Sequence, residues 1–150
     1  MKYSSFTTSQ QLRDACAHNN IPLHFIGFKD QLHKTRPYNG AYIVNMQNSF
    51  AGNGTHWVAF VLTDKNAFYF DSFQAYAPIE IEHFFRRRGY TSYRANNMDI
   101  QNIESGGCGE YCIVFLNFMY NNLPRYRYTA FLKLWNTDPD KNLKVLKKML

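Results

Sequence analysis

Cysteine is scarce in this chain. Three are present, Cys16, Cys108 and Cys112, with no Cys-x-x-Cys pair among them. That excludes a disulfide framework and the usual zinc and dithiol-redox motifs, and it fits a reduced, intracellular setting. Acidic residues are also few, 11 against 17 Lys and Arg, for a formal charge of +6. No apolar run approaches the roughly 20 residues of a membrane-crossing helix. The opening residues Lys2, Ser4, Ser5, Thr7, Thr8 and Ser9 are polar, so no secretory signal is expected. Internal repeats, low-complexity tracts and a domain boundary are all lacking. What remains is an aromatic-rich chain of 150 residues, with 45% hydrophobic, 19% charged and 17% aromatic residues, including 13 Phe and 11 Tyr. Those proportions give one globular domain over residues 1–150 with a core built on large rings, which suits a compact α/β chain; the fold class expected is α+β.

The basic excess gathers in Arg86-Arg87-Arg88, Arg125/Arg127 and Lys144/Lys147/Lys148. Such a surface attracts nucleic acid without regard to sequence; solvated helix faces account for it equally well.

Ser9 to His18 reads as a first helix, capped by Thr8 or Ser9 and placing Cys16 on the apolar face with Leu12. Ile21 to Phe28 reads as extended and Arg36 to Gly40 as a turn. Ala41 to Met46 is a strand, followed by a polar, glycine-bearing loop, Gln47 to Thr55. His56 to Leu62 and Ala67 to Phe73 form a hairpin about Thr63–Asn66. Ile79 to Arg88 is an amphipathic helix stopped by Gly89, and Tyr90 to Tyr93 reads as another strand. Cys108 to about Asn121 is the main helix. Thr129 to Leu134 and Lys141 to Leu150 are short terminal helices with Asp138-Pro139 between them.

The run Ser105-Gly106-Gly107-Cys108-Gly109-Glu110-Tyr111-Cys112 carries the most chemistry. It places a thiol at the start of a buried helix, where the dipole and unpaired N–H groups favour thiolate, and its glycines let a substrate backbone approach. A free cysteine is more often buried and inert, so Cys108 needs partners. His56 opens a core strand beside a glycine-bearing loop. A hairpin about Asp64–Lys65 sets it almost opposite Asp71, within reach of a carboxylate that would accept Nδ1–H and fix the tautomer. Taken singly, His56 also suits a satisfied core histidine, and Asp71 suits capping of the next turn through Ser72. Gln101, seven residues before Cys108, could join the Cys108 N–H in an oxyanion hole, or be a surface glutamine. His18, His24, His33 and His83 lack an acid so placed, and Cys112 faces the core.

The set Gly54-Thr55-His56-Trp57-Val58-Ala59-Phe60, Asp71-Ser72-Phe73, Gln101 and Gly107-Cys108-Gly109, in that order, resembles the adenain-like and Ulp1-like cysteine proteases, over about residues 9–122. The resemblance implies a papain-like/adenain-like fold: a central, mostly antiparallel sheet with the nucleophile at the N-terminus of a buried helix. It implies Cys108 as nucleophile, His56 as base and acid, Asp71 as orienting acid and Gln101 as oxyanion donor. Trp57, Gly54, Thr55 and Gly107 would line the substrate cleft, and Gln47 to Thr55 would contact substrate. The expected activity is a cysteine endopeptidase that cleaves viral structural precursors at glycine-containing sites during virion maturation. A protease of SUMO- or ubiquitin-like modifiers and an acyltransferase on the same fold are the alternatives. No metal or cofactor is called for. The expected partners are protein substrates, with non-specific DNA contact compatible with the charge, and the chain is expected to be a monomer in the virion and in the infected cell's cytoplasm or nucleus. Two departures stand out. The acid is Asp where adenain has Glu, and no cysteine lies between Trp57 and Gln101 to bond an activating peptide.

Overall fold

The computed structural model describes residues 8–50, 56–101 and 107–150. Five strands form one sheet in chain order: β1 (Leu23–Phe28), β2 (Gly40–Asn45), β3 (Trp57–Leu62), β4 (Ala67–Phe70) and β5 (Arg94–Ala95). β2, β3 and β4 pair antiparallel, whereas the outer pairs β1–β2 and β4–β5 are parallel. The sheet is therefore mixed, with its antiparallel part at the centre.

Every residue of β2, β3 and β4 is buried, as their nearly unbroken apolar sequences require of strands covered on both faces. On one face Ala41, Ile43, Ala59, Val61, Phe68 and Phe70 meet α1 (Ser9–His18), α3 (Cys108–Asn121), α4 (Tyr128–Leu132) and α5 (Pro139–Met149). On the other, Tyr42, Val44, Val58, Phe60 and Tyr69 meet α2 (Ile79–Arg88) and a 3₁₀ helix over Lys29–Lys34. α3 lies against β3. Its residues from Gly109 to Leu116 are all buried, the pattern of a helix enclosed on nearly every side.

Helix starts follow the capping residues. Thr8 and Gln11 form a reciprocal capping box on α1. Asp138 caps α5 and Pro139 is its first residue, so that pair begins a helix instead of separating two. The strand expected at Tyr90–Tyr93 lies at Arg94–Ala95 instead. The tyrosines use their side chains: Tyr90 donates to the Thr63 carbonyl, and Tyr93 packs on Tyr69 and Phe85. The 3₁₀ helix was not foreseen, because Lys29–Lys34 has no helical apolar period.

Two of the three consecutive arginines serve the fold. Arg87 donates to the His33 carbonyl at 3.1 Å. Arg88 donates to the Pro37 carbonyl at 2.6 Å and to Asn39 Oδ1 at 2.5 Å.

Candidate active site

β3 and β4 run antiparallel, so the start of one and the end of the other meet at a single end of the sheet. The pairing Ala59↔Phe70 and Phe60↔Tyr69 centres the hairpin on Asp64–Lys65, as expected. Continued past the strands, it sets His56 across from Phe73, with Asp71 diagonal to it. The rings of His56 and Phe73 accordingly stack, with centroids 4.4 Å apart and planes 21° from parallel. The diagonal still lets the acid reach the base, and His56 Nε2 lies 2.7 Å from Asp71 Oδ1. This reverses the expected tautomer, since the nitrogen at the carboxylate is Nε2 and not Nδ1. Nδ1 is buried and has no hydrogen-bond partner by geometry among the described residues. Cys108 is nonetheless close enough to the imidazole to act on its ionisation.

Burial works against imidazolium at His56, but the hydrogen bond to Asp71, the adjacent Cys108 and the negative charge of both outweigh it. The pKa is pushed up from the ordinary 6.5 to about 9, so the ring is protonated at neutral pH.

Asp71 is held from three directions and is only 1% exposed. Its Oδ1 also accepts the Phe73 N–H at 2.8 Å, closing an Asx turn. Its backbone N–H donates to Asn96 Oδ1 at 3.1 Å, and its carbonyl accepts from Asn96 Nδ2 at 2.7 Å. One buried carboxylate thus caps the turn and also holds the base, so the two readings open in the sequence coexist.

Gln101 is buried, not a surface residue. Ser72 Oγ donates to its Oε1 at 2.6 Å, and its backbone N–H donates to the Ser72 carbonyl at 3.0 Å. The candidate oxyanion donor is therefore tied to the residue that follows the acid.

Cys108 is the first residue of α3 and is partly exposed. Gly107 precedes it with φ 107°, ψ 10°, a left-handed conformation that favours glycine. Cys112, one turn on, is core as expected: its Sγ donates to the Trp57 carbonyl at 3.4 Å, and burial pushes its thiol well up. Trp57 is 9% exposed and belongs to the core on the α3 side of the sheet. Gly54 and Thr55 lie outside the described residues, as do positions 51–53 of the expected loop. Before them, Ser49 binds Asp30 through its N–H at 2.7 Å and its hydroxyl at 2.6 Å.

The structure brings His56, Asp71 and Cys108 together, and joins Gln101 to the same turn through Ser72. Sequence reasoning passed over Phe73 and Asn96 as partners, along with Glu110, a buried carboxylate in the first turn of α3. The hairpin offset signalled Phe73; Asn96, in an irregular stretch, left no local signal. Among the described residues no three His, Cys, Asp or Glu side chains gather as a metal site, and no helix is long and apolar enough to cross a membrane.

A mixed sheet with this buried helix is the fold of the adenain-like and Ulp1-like cysteine proteases. Among solved structures the chain is similar to the ASFV pS273R protease, at 16% identity and a TM-score of 0.58 over 97% of this chain and 66% of that one. It is also similar to AvrA, solved with IP6 and CoA, at 16% identity and a TM-score of 0.53 over 94% of this chain and 59% of AvrA. The chain thus spans just under two thirds of the first and still less of the second. No protein-family model matches the sequence, and no curated protein matches it.

Proposed function

We propose that the protein is a cysteine endopeptidase. The observation that carries this reading is His56, gripped by Asp71 at Nε2 and neighboured by the thiol that begins α3. In the reacting form the imidazolium faces a Cys108 thiolate. The thiolate attacks the scissile carbonyl carbon, and the negative charge that forms on oxygen is taken by the Cys108 N–H and the Gln101 carboxamide. As the C–N bond breaks, His56 Nδ1–H gives its proton to the departing amine. Neutral His56 then takes a proton from water as that water attacks the thioester; the C–S bond breaks, and the thiolate–imidazolium pair returns. His56 keeps its Nε2–H on Asp71 Oδ1 throughout.

Gly107, and Trp57 beside His56, are the described candidates for a narrow cleft that admits glycine near the scissile bond; Gly54 and Thr55 would extend it. Likeness to a viral protease supports viral structural precursors as substrates, processed by a monomer during maturation in the virion or infected cell. The net charge supports loose, salt-sensitive contact with DNA, although Arg87 and Arg88 are partly spent on the fold.

The deciding experiment measures cleavage of a Gly-x-Gly fluorogenic peptide, a modifier C-terminal conjugate and an acyl-CoA by the wild type and by Cys108→Ala. Peptide cleavage abolished by Cys108→Ala supports the reading, and cleavage undiminished by that change refutes it. Preference for the conjugate would make the enzyme a modifier protease. Acyl transfer is the second reading, favoured by the CoA in AvrA, because the same thiol and base could pass an acyl group to an amine; CoA release without peptide cleavage would establish it.

A further inference from the structure

A buried carboxamide has two ends of nearly equal shape and opposite polarity. Packing alone does not choose between them; its hydrogen bonds do. At Gln101 one of these is to Ser72. The two side chains are 2% and 1% exposed, and the serine hydroxyl donates to Gln101 Oε1 at 2.6 Å. The Ser72 carbonyl meanwhile accepts the N–H groups of Ile100 at 2.8 Å and Gln101 at 3.0 Å. Backbone bonds therefore fix where Gln101 stands, and the hydroxyl anchors the Oε1 end of its amide. With Oε1 committed to Ser72, the NH₂ is the end turned away from it. An oxyanion only accepts, so the opposite orientation would present oxygen to oxygen.

We propose that Ser72 is a positioning residue of the site, which anchors the Gln101 carboxamide for its role as an anion donor. This rests on the reading of Gln101 as the oxyanion donor. The turn that begins with Asp71 then supplies both halves of the machinery. Asp71 orients the base, and the next residue orients the oxyanion donor.

The test is a double-mutant cycle on Gly-x-Gly peptide cleavage, with kcat, KM and melting temperature measured for Ser72→Ala, Gln101→Ala and the pair. Gln101→Ala should lower kcat about 100-fold. Ser72→Ala should lower kcat about tenfold with little change in KM. The double variant should be no slower than Gln101→Ala, because Ser72 has nothing left to orient. Ser72→Thr, which keeps the hydroxyl, should recover most of the loss. If Ser72→Ala does not fold, Ser72→Cys, with similar volume and a weak donor, replaces it under the same criteria. Full kcat in the Ser72 variant beside a slow Gln101→Ala would overturn the role of Ser72 alone. Losses that multiply in the double variant, tracking melting temperature, would also overturn it, as a merely structural effect. Full kcat in Gln101→Ala would instead remove the oxyanion reading beneath it.

Discussion

The β3–β4 hairpin has two ends, and they treat polar groups in opposite ways. At the closed end, Thr63 and Asn66 bond each other in solvent, and the Asp64 carboxylate, 88% exposed, accepts from Asn39 Nδ2 at 2.8 Å at the surface. At the open end, the Asp71 carboxylate is 1% exposed, and the polar groups around it find partners far along the chain, in His56, Asn96 and Gln101. Both ends must satisfy hydrogen bonds, but only the open end does so out of water, where an unmade bond costs most. A fold keeps such a cluster when the cluster performs a task.

Substitutions at the two ends should separate accordingly. The largest effect belongs to His56→Ala, which removes base and acid together and should cut kcat by at least about 1,000-fold while the circular dichroism spectrum is preserved. Asp71→Asn should follow, with kcat down about 100-fold or more through loss of the charge that holds imidazolium. It should also bring the His56 pKa well below about 9 in an NMR titration; an unmoved pKa would deny Asp71 its role. The wild type itself should respond to alkali. Because the folded-state pKa of His56 lies above the ordinary 6.5, its stabilising contribution is complete below about 6.5 and disappears as pH rises through about 9. Stability and kcat should therefore both fall on that alkaline limb, and the limb should move to lower pH in Phe73→Leu, which strips the ring from the imidazolium face at a cost of about 1 kcal/mol. Asp64→Ala at the closed end should be the smallest, with kcat unchanged and melting temperature little changed; its contacts, the Asn39 amide at 2.8 Å and Arg88 at 3.7 Å, both lie at the surface.

Where one periodic pattern or one cap decided the structure, the sequence was transparent. Thr8 with Gln11, Gly89 after α2, and the apolar run behind Cys108 placed their helices closely. The hairpin identified the acid of the site, and its centre at Asp64–Lys65 also set Phe73 across from His56, which reading Asp71 as the opposite residue overlooked. Which imidazole nitrogen meets Asp71 is a property of three dimensions. Asn96 was illegible for a related reason. Its side chain imitates a paired peptide group beside Asp71, and no local pattern marks a residue recruited in that way. The parallel outer pairs of the sheet likewise depend on connections that local reading does not follow.

The burial of Cys16 and Cys112 has a practical consequence for chemical labelling. Cys16 is 1% exposed with its thiol pushed up to about 11 by desolvation, and Cys112 is enclosed in α3 with its hydrogen pinned to a carbonyl. A thiol-directed probe applied to the native chain should therefore bind in a ratio of one per molecule, at Cys108, and reach three only after denaturation. The chain carries a built-in titrant: the native stoichiometry counts intact sites, and the excess counts unfolded molecules in the same sample.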